Sequence, residues 1–89
     1  MFLIEPGYYI ARSKMKNKKY SIFTKEGNKY KYLLSFGDKR YQQFKDNTPE
    51  RLYKNLDHGD EERKKRYYQR HGKTNNKKSP KYWSNKYLW

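Results

Sequence analysis

The residues best suited to chemistry lie in the last third of the chain, where cations occur without acids. Residues 63–89 contain ten Lys or Arg and no Asp or Glu. On a helix, Arg63, Arg66 and Arg70 would share one face with Tyr67, because residues three and four apart are neighbours. Arginine binds phosphate oxygens through a planar fork of donors, whereas lysine supplies a point charge. A basic surface with interleaved tyrosine is typical of binding to a phosphate backbone.

We therefore expect this segment to contact nucleic acid. The candidate residues are Arg63, Lys64, Arg66, Arg70, Lys73, Lys77, Lys78 and Lys81. A turn at 37–41 presents two further cations, Lys39 and Arg40, beside the Tyr41 ring. One alternative is that these side chains only form the water-exposed face of a polar helix. The other is that they contact an acidic protein partner. Residues 77–81 also resemble the Ser-Pro-Lys-Lys element of linker-histone tails, although a Ser-Pro helix start explains them more simply.

Recognisable catalytic motifs are absent from the sequence. It contains no Gly-x-x-x-x-Gly-Lys loop and no Gly-x-Gly-x-x-Gly, and its two histidines, His58 and His71, have no triad spacing. Asp57, Asp60 and Glu61 could hold Mg²⁺, which makes a metal-dependent nuclease a third hypothesis. Acids also gather at helix N-termini, because the helix dipole stabilises them there. We therefore predict no enzymatic activity, no metal and no cofactor.

Composition limits the size of the domain and its partners. Eighty-nine residues allow one small domain spanning 1–89, and the net charge is +14. Only 33% of the residues are apolar, yet 19% are aromatic, whereas disordered segments are poor in aromatics. Cysteine is absent, which excludes disulfides and the usual Cys-based zinc sites. The sequence shows no membrane span and no signal peptide, so we expect an intracellular protein without a membrane partner.

The elements that must position the cations begin with a sheet over residues 8–36. Alternation predicts that Tyr30, Tyr32, Leu34 and Phe36 lie on one face of a strand. Two earlier runs, 8–13 and 20–24, are rich in β-favouring residues, and the stretch 25–28 contains Gly and Asn, which suit a hairpin loop. The sequence therefore predicts a three-stranded antiparallel meander.

Helices are predicted for residues 48–89, which completes an α+β fold with two to three helices packed on the sheet. Thr48, Pro49 and Glu50 form a helix-start pattern. A second helix is predicted from about Asp60 to His71, with a loop over 72–78 and a third helix after Ser79-Pro80. Three acid–base pairs spaced i to i+4 are expected to support the second helix. These pairs are Asp60–Lys64, Glu61–Lys65 and Glu62–Arg66.

The core must recruit aromatic rings, because the chain has one Ala, no Val, three Ile and six Leu. We expect most of the following residues to be buried: Phe2, Phe23, Tyr32, Phe36, Phe44, Trp83 and Trp89.

Residues 29–89 carry a pattern that resembles a small, functionally uncharacterised family encoded by nucleocytoplasmic large DNA viruses. The pattern comprises Phe36-Gly37, Arg40-Tyr41, Phe44, Glu62-Arg63, Arg66-Tyr67-x-x-Arg70-His71, Ser84 and Leu88-Trp89. The sequence departs from the family at Arg40, where Gly is usual, and at Gln43, where Asp is usual. The resemblance implies a viral context in the host nucleus, a cytoplasmic viral factory or the virion. It also suggests that some signature residues, Tyr67 above all, lock the helix to the sheet and Trp89.

The sequence thus predicts sequence-tolerant binding of viral or cellular DNA, in preference to RNA, for packaging, condensation or early regulation. The alternative from another class is a virion structural or interaction protein that binds acidic protein partners.

Overall fold

The computed structural model of the chain describes all residues from 1 to 89. A four-stranded antiparallel sheet precedes two helices, which confirms the α+β class. The strands are β1 (Phe2–Glu5), β2 (Tyr8–Arg12), β3 (Lys18–Glu26) and β4 (Lys29–Asp38), and they pair in that order as a meander. The helices are α1 (Glu61–His71) and α2 (Pro80–Tyr87). Neither helix has the length and apolarity needed to cross a membrane.

The sheet has one strand more than the three that the sequence predicts. The additional strand, β1, pairs with β2, so that Leu3 lies opposite Tyr9. A turn at Pro6-Gly7 joins the two strands, with Gly7 at φ +81°. The sequence of β1 begins with three consecutive apolar residues, Phe2, Leu3 and Ile4, so it shows no period-2 alternation that would identify a half-buried strand.

A β-bulge interrupts the pairing of β3 with β4. Ile22 lies opposite Leu34, but the next residue, Phe23, lies opposite Tyr32. Leu33 is therefore an extra residue on β4. Because side chains alternate between faces, one extra residue reverses the faces of all positions beyond it.

The predicted common face of Tyr30, Tyr32, Leu34 and Phe36 was therefore wrong. Leu34 and Phe36 are buried, whereas Tyr30 and Tyr32 are each 48% exposed on the opposite face of the sheet. Alternation holds only within an unbroken strand, and the bulge divides β4 into two halves.

The core lies between one face of the sheet and the C-terminal segment. Its buried members are Ile10, Tyr20, Ile22, Leu34, Phe36, Trp83 and Leu88. The prediction that most of seven rings are buried was wrong: Phe36 and Trp83 are in this core, Phe2 and Tyr32 are exposed, and the others are half-buried, namely Phe23, Phe44 and Trp89. The α1 helix contributes no buried residue, so the buried apolar side chains that pack against the sheet are Trp83 of α2 and Leu88.

The α1 helix packs on α2 and not on the sheet. The Tyr67 hydroxyl donates to Asn85 Oδ1 at 2.7 Å, and the Tyr68 hydroxyl donates to the Asn85 carbonyl at 3.1 Å. Asn85 in turn donates through Nδ2 to the Gly72 carbonyl at 3.1 Å. These contacts fix the direction in which α1 presents its cations.

Both helices begin at a side-chain cap; the cap at Ser79 was predicted, whereas Asp60 was predicted to lie in the first turn. Asp60 accepts from the amides of Glu62 and Arg63, and Ser79 accepts from the amide of Lys81. The three predicted i to i+4 ion pairs of α1 do not form. The ion pairs in the structure are Arg40–Asp38, Lys77–Glu5 and Lys86–Glu5. One reason is that the Asp60 carboxylate is occupied by the helix amides.

The helix predicted from Thr48 is also absent, and residues 54–56 form a single 3₁₀ turn instead. Asp46 Oδ1 accepts from the Thr48 amide at 3.0 Å, and Thr48 Oγ1 accepts from the Arg51 amide at 3.2 Å. Such side-chain bonds offer the backbone an alternative to the helical pattern. The chain between β4 and α1 is therefore an ordered loop.

Candidate nucleic-acid interface

A cleft lies between α1, the loop after β4 and the end of the chain. It consists of two adjoining cavities of about 390 and 750 Å³. Both cavities are lined by Tyr41, Gln42, Arg70 and Trp89, so they form one continuous surface, which we call the basic cleft.

Five lysines and arginines line the basic cleft. They are Lys18, Arg63, Arg66, Arg70 and Lys81. None of them has a carboxylate partner within 4.0 Å. The three arginines lie on one side of α1, as their spacing predicts.

The acidic side chain at the cleft is already neutralised. Arg40 forms a bidentate ion pair with Asp38, in which Nε donates to Oδ1 at 3.0 Å and Nη2 donates to Oδ2 at 2.7 Å. These hydrogen bonds hold the pKa of Asp38 at about 2. The cleft therefore presents unpaired positive charge to an incoming ligand.

Aromatic rings and one amide complete the cleft wall. Tyr67 and Trp89 stack in parallel, with ring centroids 4.3 Å apart and an interplanar angle of 6°. Burial raises the pKa of Tyr67, which keeps its hydroxyl a donor to Asn85. Arg63 donates to Gln42 Oε1 at 3.0 Å and so links α1 to the loop. Tyr41 is 63% exposed.

The structure brings together four of the ten predicted contact residues, namely Arg63, Arg66, Arg70 and Lys81. The other six lie outside the cleft: Lys39, Arg40, Lys64, Lys73, Lys77 and Lys78. Lys77 is bound to Glu5 at 2.8 Å, and Arg40 is bound to Asp38. Those two cations are already committed to internal ion pairs.

Two of the remaining predicted residues sit over rings instead. Lys64 Nζ lies 4.6 Å from the centroid of the Phe44 ring, and Lys73 Nζ lies 5.6 Å from that of Tyr68. Lys39 and Lys78 are exposed and form no ion pair.

Sequence reasoning missed Lys18 and Gln42 as cleft residues. Trp89, which it assigned to the core, is partly buried against the core and also lines the cleft. Lys18 stands within a lysine-rich stretch, and only its position opposite Asp38 at the end of the sheet brings it to the cleft. No local sequence signal distinguishes it from its neighbours.

The acidic residues of the nuclease hypothesis have structural roles. Asp60 caps α1, and Asp57 Oδ1 accepts from the Asp46 amide at 2.8 Å. His58 Nδ1 accepts from the Asp60 amide at 2.9 Å. The structure contains no group of three or more His, Asp or Glu side chains that could hold a metal ion.

Comparison with known proteins does not assign the chain to a family. No protein-family model matches the chain, and no significant similarity is found to a characterised protein or to a solved structure. The ligand of the cleft must therefore be inferred from its residues.

Proposed function

We propose that the protein binds nucleic acid and that the basic cleft contacts its phosphate backbone. The observation that carries this proposal is the set of five cations, none of them ion-paired, around one concave surface whose acid is neutralised. Phosphate oxygens match the planar donor fork of arginine. We propose that these cations contact phosphates and not base edges, which makes the binding sequence-tolerant.

The resemblance to a family of large DNA viruses makes viral DNA the proposed ligand, bound for packaging, condensation or early regulation. The net charge of +14 adds long-range attraction to any such polyanion. We further propose that the protein has no catalytic role and acts in an infected cell or in the virion.

A salt titration with labelled duplex DNA tests the electrostatic part of the proposal. Five phosphate contacts predict that log K falls with log salt at a slope of about −4 to −5. A slope near zero, or no binding at low salt, would contradict the proposal. Labelled RNA and single strands measured in parallel give the preference among nucleic acids.

A charge-matched pair of variants tests the location. Arg66→Gln with Arg70→Gln removes two cleft cations, and we expect affinity for all duplex sequences to fall and the slope to lose about 2. Lys45→Gln with Lys54→Gln removes the same charge from exposed positions that do not line the cleft. Equal losses in the two variants would show a diffuse charge effect and no site.

Competition with polyglutamate tests the acidic-protein alternative. If the cleft reads phosphate, polyglutamate at matched charge displaces DNA poorly, because carboxylates in a flexible chain lack the regular spacing of a nucleic-acid backbone. Efficient displacement, together with a protein pull-down that survives nuclease treatment, would instead favour an acidic partner.

A further inference from the structure

The sheet face opposite α2 carries aromatic rings that no helix covers. Registered pairs place Leu3 opposite Tyr9, Tyr9 opposite Phe23, and Phe23 opposite Tyr32. One row of side chains therefore crosses all four strands. Together with Tyr30, these residues define what we call the aromatic face.

The aromatic face is open to solvent at both ends of the row. Leu3 is 61% exposed, and Tyr30 and Tyr32 are each 48% exposed. The bulge at Leu33 is what places the two tyrosines here, since an unbroken β4 would aim them at the core. Bulges are over-represented at sheet edges and next to active sites, where they redirect side chains.

The rings form two edge-to-face pairs. The centroids of Tyr9 and Tyr30 are 5.0 Å apart at 79°, and those of Phe23 and Tyr32 are 5.9 Å apart at 75°. In such a pair the ring that offers its edge keeps both of its own faces clear of its partner. A flat ligand can therefore still stack on part of this surface.

The charges around the aromatic face favour an anionic occupant. Lys25 Nζ lies 5.5 Å from the centroid of the Tyr30 ring. Lys14 and Lys16 flank Met15, whose Sδ accepts from the Tyr32 hydroxyl at 3.0 Å. The strand register places no acidic residue on this face. A second copy of the chain would bring +14 against +14.

From this geometry we infer that the aromatic face binds single-stranded nucleic acid. Unpaired bases stack on the exposed tyrosines, and the neighbouring lysines contact phosphates. Duplex DNA keeps its bases stacked inside the helix and cannot use the rings. The inference concerns a surface separate from the basic cleft and does not depend on the function proposed for the cleft.

Binding of a labelled oligothymidine strand to Tyr30→Leu with Tyr32→Leu tests the inference. Loss of two stacking rings should weaken binding about 30-fold or more. The control is Tyr30→Phe with Tyr32→Phe, which keeps both rings and should retain affinity. Wild-type affinity in the leucine variant, or an equal loss in the phenylalanine variant, would overturn the inference.

Duplex binding separates this inference from the cleft proposal. The leucine variant should bind duplex DNA as the wild type does, whereas Arg66→Gln with Arg70→Gln should lose duplex affinity. If the wild type binds no duplex but its single-strand binding still depends on the two rings, the inference stands and the cleft proposal fails.

Two measurements on the wild type keep the inference testable if the leucine variant unfolds. The ring proton resonances of Tyr30 and Tyr32 should shift when oligothymidine is added, and unchanged resonances would refute stacking. Sedimentation velocity should show a monomer at working concentration. A dimer that the phenylalanine variant disrupts would assign the face to a second copy and overturn the inference.

Discussion

At the scale of single residues, Asp46 organises the loop between β4 and α1. Its side chain is 2% exposed and accepts four hydrogen bonds. Oδ2 accepts from the Tyr20 hydroxyl at 2.6 Å and from the Tyr53 amide at 3.1 Å, while Oδ1 accepts from the amide and the hydroxyl of Thr48. Burial, with this bond to Asp46, raises the pKa of Tyr20.

Asp46→Ala should destabilise the protein by about 3 kcal/mol or more, because it leaves the buried Tyr20 hydroxyl and two loop amides without an acceptor. Urea unfolding followed by circular dichroism measures the loss. Asp38→Ala is the control, since its ion pair with Arg40 lies at the surface, with the two side chains 27% and 59% exposed, and its loss should cost less than the loss of Asp46. Similar losses in the two variants would mean that Asp46 is not the organiser of the loop.

Asp46 also explains why the helix predicted from Thr48 does not form. The Thr48-Pro49-Glu50 pattern is a sound helix start, but it assumes that the amides beyond it are unclaimed. Which of the four aspartates is buried depends on the position of Tyr20 across the fold, 26 residues away. A pattern of neighbouring residues does not show which residues meet across the fold.

At the scale of elements, Glu5 ties β1 to the C-terminal segment. Its carboxylate accepts from the Tyr82 hydroxyl at 2.9 and 3.1 Å and pairs with Lys77 at 2.8 Å and Lys86 at 2.7 Å. Burial raises the pKa of Glu5, but the hydrogen bonds from Lys77, Lys86 and Tyr82 outweigh it, so the pKa lies below its ordinary 4.5. The contacts join strand, loop and helix.

Glu5→Gln should lower Tm at neutral pH by about 4–8 °C, a modest loss because both lysines remain partly exposed. A carboxylate whose pKa is lowered by folding stabilises the fold above its unfolded value of 4.5. That contribution is lost as the pH falls through the folded-state pKa. Thermal unfolding of both proteins across this range should therefore show the difference narrowing in acid, and a pH-independent difference would contradict the assignment.

The elements differ in how far the sequence could predict them. The signals at Asp60, Gly72 and Ser79 are local, so both helix starts and the end of α1 were predicted within about a residue. The hairpin at Gly27 was likewise local. The bulge at Leu33 depends on pairing with β3, which alternation along β4 alone does not reveal.

At the scale of the whole molecule, the acid-free segment from Arg63 onward does not act as one surface. Four of its cations, Arg63, Arg66, Arg70 and Lys81, line the cleft together with Lys18 of β3, whereas Lys77 and Lys86 neutralise Glu5. The sequence predicted where positive charge is concentrated but not this division, because the division depends on β1, a strand that the sequence did not show.

The charge imbalance itself should limit stability. The chain carries 23 Lys and Arg against nine Asp and Glu, with three ion pairs to offset their repulsion. Repulsion over longer distances is screened by salt, since the Debye length is about 10 Å at 0.1 M. Tm should therefore rise by about 3–6 °C on going from low salt to about 0.5 M sodium chloride.

Arg66→Gln with Arg70→Gln should start at a higher Tm than the wild type, and its Tm should rise less with salt, because those two cations lie among other cations in the cleft. Calorimetry of both proteins over the salt series measures this, and a wild-type Tm that falls with salt would show that attractive pairs dominate the fold.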